Sequence, residues 1–164
     1  MPKIEAVVDS KELTATVFLS LENLSIHRLW NLMCIWEGIA PKGSFAELRI
    51  LSAYACPRLK YVFSSFITQF LSKLEQLVVE DCPTMDEIIH EGEIIDFDCI
   101  TLPSLKKLTL HYLPGLFNIC TSSWSSLEHI SFYDCPRLKN IEWEDDELHS
   151  QLQRFFTAIN EDDP

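Results

Sequence analysis

Three histidines, His27, His111 and His129, and three acids, Glu80, Asp81 and Asp134, carry the side chains suited to proton exchange or fixed charge near neutral pH. Their placement follows a rule. Counted from Leu21, Leu48, Leu74, Leu105 and Leu127, His27, Glu80 and His111 fall at offset +6, Asp81 and Asp134 at +7, and His129 at +2. A general acid and a general base could therefore meet across neighbouring elements. Hydrolysis also needs a nucleophile, oxyanion donors and a pocket that excludes water, and no feature of the sequence supplies them. The pattern points to a solvated binding face and not to an enzyme.

Two further chemistries are tested by spacing. The stretch GIAPKGS (38–44) has two glycines five residues apart, as a phosphate loop does, but its lysine, Lys42, precedes the second glycine instead of following it. Nucleotide binding is therefore not implied, and no cofactor is expected. The six cysteines include no CxxC pair, which leaves zinc without support. Cys56, Cys82 and Cys135 all stand at offset +8, where an inward thiol packs as a small apolar group and donates weakly to loop carbonyls. A structural ladder explains them better than disulfides do; Cys34, Cys99 and Cys120 lie outside that column.

The elements that must position these residues come from one apolar spacing used five times. The +3 residues are Leu24, Leu51, Leu77, Leu108 and Ile130, and the +5 residues are Ile26, Ala53, Val79, Leu110 and Phe132. Leu32, Leu59, Met85, Leu116 and Leu138 occupy +11; Ile35, Val62, Ile88, Ile119 and Ile141 occupy +14. The starts are 27, 26, 31 and 22 residues apart, near the roughly 20–29 residues of leucine-rich repeats. Alternation around +3 and +5 predicts a short strand with one buried face. The residue at +8 turns the chain inward, and the prolines at +9 (Pro57, Pro83, Pro114, Pro136) must end that strand, since proline cannot donate to a ladder. A single unit cannot cover its own apolar face, so the units must stack. The expected fold is α/β: a leucine-rich-repeat solenoid of horseshoe shape, with a parallel concave sheet and an irregular, short-helix convex side.

Offsets +2, +4, +6 and +7 are expected to project from the concave sheet in columns spaced by about 4.8 Å. Offset +6 holds His27, Tyr54, Glu80, His111 and Tyr133; +7 holds Arg28, Ala55, Asp81, Tyr112 and Asp134. Exposed tyrosines suit protein interfaces, although stacking upon one another would equally account for them. The candidate protein-binding residues are His27, Tyr54, Glu80, Asp81, His111, Tyr112, Tyr133 and Asp134.

Around this array the punctuation differs. FSSFITQFLSKL (63–74) carries Phe63, Phe66, Ile67, Phe70 and Leu71 at helical spacing, with Ser64 or Ser65 as a cap, and predicts a convex helix. DEIIHEGEIIDFDCITLP (86–103) is acidic, broken by Gly92, and reads as a surface excursion. Asp145 or Asp146 is placed to cap a helix bearing Leu148, Leu152, Phe155, Phe156 and Ile159, a lid over the last repeat. If Met1 and Pro2 stand at +8 and +9, Ile4 and Val7 fall at +11 and +14, so the chain opens inside a repeat and leaves an apolar edge beside Leu21. The expected organisation is a partial repeat and linker (1–20), five repeats (21–141) and an acidic C-terminal cap helix and tail (142–164).

Charge narrows the partners. The 164 residues carry a net −12, of which 142–164 contribute −7 through eight acids against Arg154. Nucleic acid and anionic membranes offer no counter-charge to such a chain. No apolar run reaches bilayer length and the N-terminus lacks the apolar core of a signal peptide, so a soluble, cytoplasmic protein is expected.

The phrases LRILSAYACPRLKYV, LEQLVVEDCPTMDEI and LEHISFYDCPRLKNI resemble the irregular leucine-rich repeats of plant intracellular immune receptors of the coiled-coil, nucleotide-binding class. LWNLMCIWEG, SFAELRIL and the closing IEWEDDELHSQLQRFF are similar to the last repeats and tail of grass-type members. The resemblance implies a non-enzymatic disease-resistance module that senses a pathogen effector or a modified host protein and restrains a nucleotide-binding domain absent from this chain. A substrate-recognition array of an F-box ubiquitin-ligase subunit is the alternative, though the Ile-Thr-Asp and Gly-Leu turn usual after its cysteine is missing here.

Overall fold

A computed structural model describes residues 5–9, 15–90, 102–119 and 126–140. Five strands, β2 (Asn23–His27), β4 (Ile50–Tyr54), β6 (Gln76–Glu80), β8 (Lys107–His111) and β9 (His129–Tyr133), form one parallel sheet in the order β2-β4-β6-β8-β9. Every strand spans offsets +2 to +6. Pairing joins equal offsets throughout, so that Leu24 faces Leu51, Leu51 faces Leu77, Leu77 faces Leu108 and Leu108 faces Ile130. The +3 and +5 side chains pack into one continuous core with the described +11 and +14 residues, and Leu77, Val79, Leu108 and Leu110 are completely buried. The molecule is a parallel β-solenoid of leucine-rich repeats.

The end of each strand is built differently from the expectation. The residue at +7 adopts positive φ in all five repeats: Arg28 (56°), Ala55 (52°), Asp81 (54°), Tyr112 (54°) and Asp134 (51°). The left-handed conformation there swings the chain off the sheet, so the turn begins one residue before the +8 column. The +8 carbonyl then accepts from the +11 amide in every repeat, from Leu32, Leu59, Met85, Leu116 and Leu138, at 3.0–3.2 Å. Proline at +9 thus occupies the second position of a β-turn, where its fixed φ is preset. It stops the strand and also shapes the corner.

Among the described residues the opposite side of the solenoid is irregular, built of turns, two pairs of short strands and one helical turn. β1 (Ala6–Asp9) pairs with β3 (Cys34–Glu37), and β5 (Phe63–Ser64) pairs with β7 (Ile89–His90), all parallel. The Ala6–Cys34 register places Val7 at +14, the offset its sequence position implied. Backbone bonds at +12 run from repeat to repeat: the Lys60 amide to Met33 O, Asp86 to Lys60 O, and Phe117 to Asp86 O, at 3.0–3.2 Å. The helix expected over 63–74 is one turn, α1 (Ser65–Thr68). Ser64 is its N-cap residue but makes no side-chain cap bond, and the Thr68 hydroxyl instead donates to Ser65 O at 2.6 Å. Ladder bonds from Val62 and Phe63 to Ile88 O hold the start of this segment as strand.

Residues 86–90 are likewise not a surface excursion, because Ile88 and Ile89 are fully buried and β7 is paired. Leu102, near the segment's far end, is fully buried as well; residues 91–101 and the cap helix expected within 142–164 lie outside the described residues.

Candidate protein-recognition face

The outward face of the five-stranded sheet collects the side chains at +1, +2, +4, +6 and +7. At +1 the charges alternate in sign: Glu22, Arg49, Glu75, Lys106, Glu128. Glu75 is clamped from both sides, by Arg49 Nη1 at 2.8 Å and by Lys106 Nζ at 3.4 Å. At +4, Ser52 donates to Ser25 Oγ at 2.9 Å. This side of the face satisfies itself.

The eight predicted residues lie along the other side, at the strand ends, in two groups. On β2 and β4, His27 and Tyr54 meet with ring centroids 6.0 Å apart. On β6, β8 and β9, the remaining six are brought together. His111 Nδ1 stands 3.3 Å from Glu80 Oε1 and its Nε2 stands 2.8 Å from Ser131 Oγ. The Tyr133 ring presents an edge-to-face contact to Tyr112 at 5.1 Å and another to His111 at 6.2 Å. Asp81 and Asp134 flank Tyr112 in the +7 column, both exposed. Tyr54, Tyr112 and Tyr133 retain 40%, 49% and 51% exposure, so stacking upon their neighbours has not withdrawn them from solvent.

Ser131 is the residue the sequence reading missed. A carboxylate thus stands at Nδ1 of His111 and a serine hydroxyl at Nε2, the order carboxylate, imidazole, hydroxyl found in acyl-transfer enzymes. A nucleophile candidate therefore exists, contrary to the expectation from sequence. Its signal was the serine at +4 in three of the five repeats, Ser25, Ser52 and Ser131. The chemistry still lacks its other half. The amides of β8 and β9 serve the ladder, and Ser131 stands exposed on an open sheet, where developing charge meets water instead of fixed donors. What the triplet does achieve is orientation: both His111 nitrogens are engaged, so its ring is held against Tyr133.

The thiol column behaves as a structural one. Cys56 and Cys82 donate to the carbonyls of Tyr54 and Glu80 at 3.6 and 3.4 Å, and Cys135 donates to Leu110 O at 3.2 Å. Cys82 donates to Cys56, and this bond and then burial push the Cys82 thiol up while the same bond draws Cys56 down to about 7; burial pushes Cys135 up, so that Cys82 and Cys135 stay protonated. Among the described residues no group of three or more His, Cys, Asp or Glu side chains is placed to hold a metal. Lys42 sits in an exposed turn whose carbonyl accepts from Thr16 Oγ1 at 3.1 Å, between two strands. Among the described residues no helix is long and apolar enough to cross a membrane.

The leucine-rich repeats described as plant disease resistance protein RPS2-like match residues 3–83 and 39–142, which together span the array. The chain belongs to that family. No curated protein and no solved structure matches it. In this chain's C-P-x-L phrases each position has a role: the thiols of Cys56 and Cys135 donate to carbonyls, the proline sits in the turn, and Leu59 and Leu138 lie in the core.

Proposed function

We propose that the +6 and +7 columns are the protein-recognition surface of a plant innate immune receptor, non-enzymatic and cytoplasmic, lying on the inner side of a curved array. In this reading the face senses a pathogen effector or a modified host protein, and the array restrains a nucleotide-binding domain. One observation carries it: three tyrosines held in place by neighbouring rings on adjacent strands while about half of each remains in solvent. Preorganised aromatic area is what hot spots are made of, because little side-chain entropy is left to lose.

The test is a binding and cell-death assay in a receptor carrying this array. Tyr54→Ala and Tyr133→Ala should each weaken recognition, with about 2 kcal/mol lost for a central tyrosine. Gln69→Ala, at the end of the helical turn on the opposite side, should change little. Equal loss from all three, or loss only from Gln69→Ala, would overturn the assignment.

A further inference from the structure

The face is electrically divided along its strand ends. At +6 and +7 the β2–β4 half holds His27, Arg28, Tyr54 and Ala55, whereas the β6–β8–β9 half holds Glu80, Asp81 and Asp134 with no lysine or arginine. Two acids elsewhere are answered by cations: Glu75 by Arg49 and Lys106, and Glu47 by Lys73 at 2.6 Å. Among the described residues neither the Asp81 nor the Asp134 carboxylate has a hydrogen-bond or ion-pair partner. The two stand on either side of Tyr112, each with a left-handed backbone and each tied to the neighbouring repeat, the Asp81 amide donating to His111 O at 3.1 Å and the Asp134 carbonyl accepting from the Leu113 amide at 3.1 Å.

We propose that this half of the face docks an extended, arginine-bearing protein segment lying across the strands, with two arginines three residues apart. The proposal rests on the recognition reading above and names its partner's chemistry. Three observations set the terms. Two strand spacings separate Asp81 from Asp134, about 9.6 Å. Three residues of a polyproline-type chain rise about 9.3 Å and return to the same side, so consecutive arginines at that interval reach both carboxylates. Between them lies the exposed edge-to-face pair of Tyr112 and Tyr133, whose faces accept a guanidinium or the aliphatic stem that carries it. A planar guanidinium meets a carboxylate through two parallel hydrogen bonds, which an ammonium cannot do. Arg28 at the far end repels the same segment and fixes which half it occupies.

The experiment titrates the full chain, isotopically labelled, with three synthetic peptides on a Gly-Ser-Pro background. One carries Arg-x-x-Arg, one carries adjacent Arg-Arg at equal charge, and one carries Glu-x-x-Glu. The first should shift the amides of Asp81, Tyr112 and Asp134 and bind at least tenfold more tightly than the second, while the third leaves them unmoved. Raising salt should weaken the first complex. Asp81→Asn with Asp134→Asn should abolish the spacing preference, and Tyr112→Asn, which suits the left-handed backbone and so leaves the fold intact, should weaken binding about tenfold. Equal binding of the two arginine peptides, or no binding of either, overturns the proposal. In the second case, loss of recognition in Tyr54→Ala and Tyr133→Ala receptors would leave the face itself in place as a recognition surface for another chemistry.

Discussion

At the scale of single residues, the left-handed +7 position is the most consequential feature. Asp81 and Asp134 suit it, since aspartate tolerates positive φ, but Arg28, Ala55 and Tyr112 do not. Ala55→Gly should therefore stabilise the fold, by about 0.5–1 kcal/mol once the extra freedom of glycine in the unfolded chain is subtracted from a strain of about 1–2 kcal/mol. Urea unfolding measures it, and a lower midpoint would refute the strain. The opposite extreme is Leu77→Asp: a fully buried leucine at the centre of the sheet becomes an unpaired charge, costing several kcal/mol, and circular dichroism should show an unfolded chain. Which residues would face solvent at the strand ends was legible from the sequence, because the period of two places +6 opposite +3 and +5. The backbone twist at +7 was not, for Arg, Ala, Asp, Tyr and Asp share no side-chain property. Nor was Ser131, whose contact with His111 crosses strands diagonally, from +4 on one to +6 on the next.

At the scale of elements, stacking is governed by how closely one repeat's corner approaches the next. Thr84 donates from one corner to Pro57 O of the preceding corner at 2.8 Å. In the following corner Gly115 comes so near that a Cβ built there would lie 2.8 Å from Met85 O and 2.9 Å from Pro83 O. Both neighbours are backbone carbonyls in a hydrogen-bonded turn, and neither can rotate away. Gly115→Ala should thus cost about 1–3 kcal/mol, the range for overpacking, although alanine is ordinarily the less flexible and more stable choice. A variant as stable as the wild type in thermal unfolding would mean that the corners slide apart freely. The repeat register and all five sheet strands were readable because the apolar offsets recur five times. The far side was not, since its apolar spacing over 63–74 fits a helix, and only the neighbouring repeat supplies the carbonyl that draws Phe63 into a strand.

For the whole molecule, burial falls off in the first and last repeats of the stack, where Leu127 and Ile130 are partly buried at one end and the first repeat is open at the other. Leu21, Leu24 and Leu29 are only partly buried, while Leu48, Leu51 and Cys56, their equivalents one repeat along, are buried almost completely. Among the described residues β2 pairs only with β4, which leaves its other edge unpaired. In this repeat and just before it, Phe18, Leu19, Trp30 and Ile39 remain 39%, 57%, 67% and 72% exposed. Covering a large apolar side chain is worth about 1.5–3 kcal/mol, so a few together outweigh the modest repulsion between like-charged surfaces in physiological salt. The net charge of −12 opposes contact at low ionic strength. The chain should therefore self-associate, and the association should strengthen as salt is raised, the opposite of what ion pairing would give. Sedimentation of the wild type against a Leu19→Ser, Trp30→Ser double variant separates the cases: the wild type should gain mass with concentration and salt, and the variant should stay closer to a monomer. Monomeric wild-type behaviour at high concentration in high salt would show that the exposed apolar residues at this end contribute nothing to association.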